Sequence, residues 1–506
     1  MPFKDLREFI EKVREVDHLK EIDGASCDLE IGAITEVTAA NPEHPFLLFD
    51  NIPGFPAGMR VASNMVNTPR RIALLLGMPL DASKVDLLRF WKDKINGLKP
   101  ISPVKVEKGQ APILTHVAMD DEVDITKFPA PIWHELDGGP YLGTGCIAYT
   151  RDPDSPWTNL GCYRVQVHDK KTVGLYMSPG RHGRIMRDKY WAKGESCPVV
   201  ITFGHELALW VASAHAPPYG YSEYEWTGGV RGEPVEIVDA PYTGIPIPAT
   251  AELAIEGEIP PPEEEVRKEG PFGEWPGYYA HGAKDEPVIR VKSMLWRDDP
   301  INVGAPPLKP VTPYSFGIPF GAAMVWDQLE KMAVPEVKGV WCYSSTPSGG
   351  SGLPFIVISI KQRYPGHAKQ AAMCPLGGRS GAYYGKIIVV VDDDIDPTDI
   401  NEVVWAMATR SDPETDVDII KGCWTSLLDP RIPPEKVNAN DLTNSRMIIN
   451  ACRPYHWMKD FAPVNCISPA LKQKTLEKWG QILQDAGVPP QKIAPSLTQQ
   501  QQQQGR

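Results

Sequence analysis

Residues 385–410 read GKIIVVVDDDIDPTDINEVVWAMATR. Five consecutive aliphatic residues, Ile387 to Val391, run into three acids. A strand with one wet face alternates apolar and polar residues, whereas an unbroken run needs cover on both faces, as in a parallel sheet flanked by helices. The stretch therefore predicts a buried parallel strand feeding a helix capped near Asp396–Pro397. The C-terminal part of the chain is then an α/β unit.

The middle of the chain has another texture. From about residue 112 to 303, short β-like runs are punctuated by Gly, Pro and Asp. In GTGCIAYTRDPDSPWTNLGCYRVQVHDKKTVGLYMSP the spacing predicts a polar turn at Asp152–Pro156, a strand over about 158–168, a turn at Asp169–Lys171 and a further strand. Such a series suits a β-barrel or sandwich. At the N-terminus, Leu6, Phe9, Ile10 and Val13 recur at helical spacing, and LEIGAITEVTAA and TPRRIALLLG continue a small α/β start. In SPALKQKTLEKWGQILQDAG, Ser468 is the expected N-cap, Pro469 the first helical residue and Gly487 the stop. Leu476, Trp479 and Leu483 form a stripe on that helix, suited to docking on another subunit or on the chain's own body. The end, SLTQQQQQQGR, reads as a disordered tail.

Composition narrows the partners. The 506 residues are 42% hydrophobic, enough for a large core and about two to four domains. A net charge of −12 without a basic block argues against nucleic acid and acidic membrane surfaces. No apolar run approaches the ~18–20 residues that span a bilayer. The opening MPFKDLREFIEKVREVDHLKEI lacks the apolar core of a signal peptide. Nine cysteines, an odd number with no C-x-x-C pair, suggest free thiols in a reducing, cytoplasmic setting.

Four blocks carry candidate chemistry. In KEGPFGEWPGYY, residues 268–279, Glu269 and Glu274 bracket a Gly-Pro-Phe-Gly turn that fixes two acids beside an aromatic ring. WTNLGCYRVQVH supplies Asn159 and Arg164, SPGRHGRI supplies Arg181 and His182, and GYSEYEWTGGVRGEPVEIV supplies Glu223. An amide oxygen, an imidazole nitrogen and a carboxylate form a ligand set suited to Mn²⁺ or Mg²⁺, with positions left open for phosphate oxygens. The glycines flanking Arg181-His182 let backbone amides approach a phosphate. Each residue alone also fits an ordinary surface role. Strict alternation would put Asn159 and Arg164 on opposite faces of one strand, so a shared site needs a bulge or a ligand that reaches past the strand end.

The order W-T-N-x₄-R, G-R-H, S-E-Y with R-G-E-P-V-E, then E-G-P-F-G-E resembles the UbiD family of prenylated-flavin-dependent decarboxylases of aromatic acids. DLEIGAITE, FPAPIWHELDGGPYLGT and DDDIDPTDINEVVWAMATR extend the likeness over nearly the whole chain. The resemblance implies an α/β (α+β) fold: an N-terminal α/β segment over 1–111, a split β-barrel holding the flavin over 112–310, a C-terminal α/β domain over 311–466, a dimer-forming helix over 467–490 and the tail over 491–506. It implies a reversible, non-oxidative decarboxylase of an aromatic, heteroaromatic or α,β-unsaturated acid, with prenylated FMN as electron sink. Glu269, Arg164 and Glu274 would be catalytic. Glu269 is expected to donate the proton, and Arg164, paired with Glu274, to orient the substrate carboxylate and hold that second acid ionised.

By the same resemblance Asn159, His182 and Glu223 would hold Mn²⁺ (or Mg²⁺) against the flavin phosphate, with Arg164 and Arg181 beside the cofactor. A K⁺ ion would lie near Ala212 and Ser213 in VASAHAPP, where His215 follows. Relatives carry a phosphate-contacting lysine where Ser380 stands here, and the adjacent Arg379 is the candidate substitute. Ile318, Phe320 and Cys452 would line the substrate pocket, with Lys309 a candidate for a second polar group. The expected partners are a small carboxylic acid, a flavin prenyltransferase that supplies the cofactor, and further copies of the chain in a homodimer or homohexamer. Two rival readings use the same residues: a divalent-metal hydrolase with Glu269 as base, and a non-catalytic flavin-binding assembly protein.

Overall fold

The computed structural model describes residues 3–215, 219–279, 282–309, 318–343 and 354–486. Helix Leu6–Glu15 opens at Asp5, whose carboxylate accepts from the Glu8 amide at 2.9 Å, and it buries Leu6, Phe9, Ile10 and Val13 as their spacing predicts. Beside it a four-stranded sheet runs in the order Leu19–Asp23, Phe46–Asp50, Arg60–Ser63, Ile301–Val303. The fourth strand arrives from the far end of the central region and pairs in parallel with Arg60–Ser63. The last of the expected β-runs is thus part of the N-terminal sheet, and the two regions are sewn together there.

The central region is a ten-stranded antiparallel sheet. Its path runs Tyr141–Gly143, Val165–Asp169, Thr172–Leu175, Lys284–Trp296, Leu253–Ile259, Cys197–Phe203, Ile147–Arg151, Thr158–Gly161, and Val266–Glu269 and His116–Met119 also pair with the long strand Lys284–Trp296. The path does not return to its first strand, so the barrel is not closed. The single strand expected over 158–168 is two strands. Thr158–Gly161 pairs with Ile147–Arg151, and Val165–Asp169 pairs with Thr172–Leu175. Residues 162–164 change partners between them, which resets the alternation. Asn159 and Arg164 are therefore not tied to opposite faces of one ribbon.

The C-terminal sheet has the order Val337–Tyr343, Phe355–Ile360, Ile387–Asp392, Thr443–Ala451, Val417–Trp424. The aliphatic run sits at its centre, parallel to both neighbours, with Ile388, Val389, Val390 and Val391 fully buried. Each such side chain contributes about 1.5–3 kcal/mol. The following helix, Ile400–Arg410, starts later than expected. Asp399 is its cap, accepting from the Asn401 amide at 3.0 Å, while Asp396 closes a turn on the Thr398 amide at 2.8 Å. Pro397 cannot donate an amide, and the chain turns once more before the helix begins.

The last described helix is Pro469–Asp485, with Ser468 Oγ accepting from the Leu471 amide at 3.1 Å. Gly487 lies outside the described residues. Trp479 is exposed and Leu476 is part-buried. All nine cysteines are free. Among the described residues no helix is long and apolar enough to cross a membrane.

Candidate active site

Strand Val266–Glu269 ends at the first acid of the E-G-P-F-G-E block. Gly270 then takes φ +82°, the left-handed region that glycine enters without steric cost. Its amide donates to Gln166 Oε1 at 3.0 Å. The Pro271 carbonyl accepts from the Gly138 amide at 2.8 Å, and the Glu274 amide donates to the Tyr278 carbonyl at 2.9 Å. Two backbone–backbone hydrogen bonds and one to the Gln166 side chain thus hold the loop that spaces the two acids.

Arg164, at the break between the two strands, bridges them. Its Nε and Nη2 donate to the two oxygens of Glu269 at 2.8 and 2.7 Å, and Nη1 donates to Glu274 Oε1. The guanidinium lies 4.7 Å from the Tyr176 ring centroid and 5.6 Å from that of Phe272, so its charge is screened from water by two π faces. Tyr141 adds a third donor to Glu269, 3.1 Å from Oε1, and its ring packs 4.2 Å from Phe272. Desolvation by itself would lower the Arg164 guanidinium, but the hydrogen bond to Glu269 and the charges of Glu274 and Glu269 outweigh it and hold the group well above its usual range. Desolvation pushes the Glu274 carboxyl up, against the pull of Arg164. A small pocket opens here, lined by Arg164, Tyr176, Glu269, Phe272, Glu274, Gly282, Lys284 and Glu286.

The three residues expected to be catalytic are therefore in contact, but the pairing differs from the expectation. Arg164 turns its two-pronged edge to Glu269 and meets Glu274 through one nitrogen. Glu269 receives three donors on its oxygens, and Glu274 is the acid that burial favours in its neutral form.

A second cluster gathers around strand Thr158–Gly161. Asn159 on that strand is 2% exposed, and its Nδ2 has no protein partner. Helices His182–Trp191 and Leu207–His215 pack on the strand, and helix Glu223–Arg231 reaches it through Glu223. Glu223 is 1% exposed, faces the Leu160 amide and keeps a buried Oε2 without a partner. Burial pushes its carboxyl up to about 8. His182 meets the ring edges of Trp157 and Tyr219, with centroids at 5.7 and 5.2 Å. Ser213 is buried, its hydroxyl donating to the Trp210 carbonyl at 2.8 Å and lying 3.0 Å from Cys162 Sγ; Ala212 beside it is fully buried. Among the described residues no three His, Cys, Asp or Glu side chains cluster as a metal site. The expected set depends on an asparagine as its third member.

The charge of Arg181 reaches Tyr163 and also Tyr383, which comes from the C-terminal region and feels Glu274 as well. Arg379 opens the short helix Arg379–Ala382; its side chain, those of Ser380, Ile318 and His215, and residues 313–317 lie outside what the structure describes. Phe320 is not at the cavity: it is core, 4.6 Å from Trp91. Cys452 is likewise buried, beside the Asp392–Arg410–Arg453 charges. Lys309 is exposed. Sequence reasoning did not single out Tyr141, Tyr176, Gln166, Lys284 or Glu286. A signal existed for one of them: the R-V-Q-V-H alternation puts Gln166 on the face that carries Arg164.

Residues 10–91, 104–310 and 315–451 match, in turn, the N-terminal, Rift-related and C-terminal domains of the 3-octaprenyl-4-hydroxybenzoate carboxy-lyase family. The chain belongs to the UbiD family. It is 30% identical to the pyrrole-2-carboxylic acid decarboxylase of Pseudomonas aeruginosa, over 94% of this chain and 97% of that one. Among solved structures, vanillic acid decarboxylase of Sedimentibacter hydroxybenzoicus in an open form superposes with a TM-score of 0.81 at 28% identity, covering 96% of this chain and 99% of that one. The UbiD-class enzyme HmfF of Pelotomaculum thermopropionicum, in complex with FMN, gives 0.81 at 26% identity, covering 94% and 100%. An evolved dimeric form of HmfF in complex with prenylated FMN gives 0.77 at 25%, with the same coverage.

Proposed function

We propose that this UbiD-family carboxy-lyase removes CO₂ from an aromatic or heteroaromatic acid, with prenylated FMN as cofactor. The observation that carries the reading is one guanidinium clamped between two carboxylates and two aromatic faces at a cavity. A binding protein has no use for that arrangement, and a hydrolase would need its water-activating base beside the metal ligands instead.

The second cluster fits the cofactor's phosphate end. Two buried atoms there lack partners: Asn159 Nδ2, a donor that a phosphate oxygen would satisfy, and Glu223 Oε2, an acceptor open to a cation. A buried ionised carboxylate without countercharge is costly, and Mn²⁺ or Mg²⁺ supplies the charge with ligands of this type. Asn159, His182 and Glu223 would hold the ion, Arg181 and Arg379 would meet the phosphate, and the backbone near Ala212 and Ser213 would take K⁺. When bound, prenylated FMN supplies the electron sink for the bond that breaks.

The chain's residues manage charge and the proton. A substrate carboxylate competes with Glu269 for the Arg164 fork. As Arg164 turns to the substrate, Glu269 loses its cation and takes up a proton in its dry site. Tyr176 and Phe272 keep water off. After CO₂ departs, the Glu269 carboxyl delivers its proton to the carbon that lost it. Glu274 keeps one contact to Arg164 throughout and steadies its orientation.

The test is co-expression with a flavin prenyltransferase, the expected supplier of the cofactor. Purified protein should absorb beyond the protein band and release CO₂ from members of an aromatic and heteroaromatic acid panel. A colourless protein inert toward the whole panel would sink the reading. The chain is further expected to assemble as a homodimer or a larger ring of dimers through helix Pro469–Asp485, whose Leu471, Trp479 and Ile482 are exposed in the single chain. Light scattering on a chain ending near residue 466 should show a lower mass; an unchanged mass with both forms folded counts against the helix as the contact.

A further inference from the structure

The three segments that carry Asn159, His182 and Glu223 meet twice. Trp157 stands two residues before Asn159, and Tyr219 four residues before Glu223. Their rings and the His182 imidazole touch in all three pairs, each edge to face. Centroids lie 4.6 Å apart for Trp157 and Tyr219, 5.7 Å for Trp157 and His182, and 5.2 Å for His182 and Tyr219. Each segment thus gives one ring to a single knot. A polar clasp joins the same three segments. The carboxylate of Asp152, a residue 5% exposed at the start of the turn before Trp157, accepts from the Tyr219 hydroxyl at 3.1 Å and from Lys189 Nζ at 2.8 and 3.0 Å. Lys189 lies about two turns along the helix that His182 begins, and its ammonium stands 5.9 Å from the Tyr219 ring centroid. The Asp152 amide closes the turn on the Trp157 carbonyl at 2.9 Å, so backbone also ties clasp to knot.

The knot is not core filling. None of its three rings is fully buried, and Tyr219 is 48% exposed. What it fixes is relative position. An ion held by side chains from three separate segments binds weakly if each must be gathered as it arrives, because the cost of ordering them then falls on binding. We propose that the Trp157–His182–Tyr219 knot and the Asp152 clasp preset the socket for its divalent ion, a role that rests on the ligand set proposed above. Tyr219 and Asp152 are positioning residues that act through the three ligands. Tyr219 meets His182 by its ring. It also sits within one turn of Glu223, whose helix is capped by Ser222 accepting from the Glu225 amide at 3.3 Å. Asp152 holds the turn that leads to Asn159 and, through Lys189, the helix that carries His182. Loss of either residue loosens all three ligands together.

The test titrates Mn²⁺ into the full chain in the presence of FMN, with free Mn²⁺ followed by its EPR signal. Tyr219→Leu and Asp152→Ala should each weaken Mn²⁺ binding by about 10–100-fold, the usual scale for a residue that orients a ligand. Tyr219→Phe keeps the ring and loses only the tie to Asp152, so its loss should be smaller, under about tenfold. All three ligands remain in these variants, so excess Mn²⁺ should restore full stoichiometry. Deuterium uptake gives a readout without the ion. In Mn²⁺-free protein, segments 157–161, 182–191 and 219–231 should exchange faster together in Tyr219→Leu and Asp152→Ala, while strand Ile387–Asp392 keeps its protection. Wild-type Mn²⁺ affinity in both variants would overturn the proposal. So would unchanged exchange in the three segments, since the ion would then gather its ligands unaided, and so would a stoichiometry that excess Mn²⁺ fails to restore. A wild type that binds no Mn²⁺, or a Glu223→Gln variant that binds it as tightly as the wild type, fails the ligand set instead, and the exchange measurement then decides the knot on its own.

Discussion

The two polar clusters on either side of residues 162–164 are finished to different degrees. Around Arg164 the guanidinium and both glutamates are paired: the guanidinium spends its three nitrogens on Glu269 and Glu274, and Glu269 receives a further bond from Tyr141. Around Asn159 the protein stops short, with Asn159 Nδ2 and Glu223 Oε2 buried and unpartnered. An unmade buried hydrogen bond costs about 1–3 kcal/mol, more for a charge. The difference separates what the chain completes alone from what it leaves for something brought in. The first cluster is a preset clamp, and the second is a socket.

The largest effect that would break this contrast lies in the socket. Glu223→Gln removes the one carboxylate there and should abolish binding of flavin and metal together while the fold survives. Wild-type content of both in the purified variant would show that Glu223 is not a ligand. The metal-free protein offers a pH test. Burial raises Glu223 to about 8, so its contribution to stability is full below the ordinary carboxylate range and is lost as pH rises through about 8. Glu206, buried and raised to about 8 despite its contact with Arg231 at 2.5 Å, shares this window. Melting temperature should therefore fall between about pH 5 and 8. Mn²⁺ should oppose the fall in the wild type and not in Glu223→Gln.

A smaller but more specific loss is expected in the clamp. Glu269→Gln should keep flavin and spectrum, since Glu269 lies outside the socket, while turnover drops by about 10²-fold or more. Exchange of the product's hydrogen with D₂O should fall in step, because it uses the same proton without CO₂. Glu274→Gln should damage both activities through the orientation of Arg164 and weaken substrate binding as well. Exchange at the wild-type rate in Glu269→Gln would pass the role to Glu274, the acid whose neutral form burial already favours.

How much of this was legible follows from the range of the forces involved. The run Ile387–Val391 announced its place because burial on both faces is written into consecutive residues. Helix Leu6–Glu15 was readable for a similar reason, its apolar face recurring every three or four positions. The break at residues 162–164 was not readable, since it depends on which distant strands each half pairs with. Asn159 and Arg164 then looked incompatible by alternation alone. The order of motif blocks picked out three residues that the fold brings into contact, but not which acid takes the Arg164 fork, because that is decided by loop geometry at Gly270 and Pro271. Phe320 looked like a pocket wall, and it packs on Trp91, a partner more than two hundred residues away along the chain.

The smallest effect expected tests whether the clamp is complete because of Arg164 alone. Tyr141 is fully buried, its hydroxyl on Glu269 and its ring on Phe272. Tyr141→Phe keeps the ring and removes one donor from the carboxylate. The net worth of such a bond is about 1 kcal/mol, which is roughly a fivefold effect on an equilibrium. The hydroxyl touches the carboxylate that Arg164 also holds, so its loss loosens the acid and leaves the arginine in place. Turnover should fall by about fivefold and by less than about tenfold, and flavin content should not change. An unchanged turnover would mean that the hydroxyl adds nothing to the hold on Glu269. The ring would then be packing only, and the whole difference between clamp and socket would rest on one arginine.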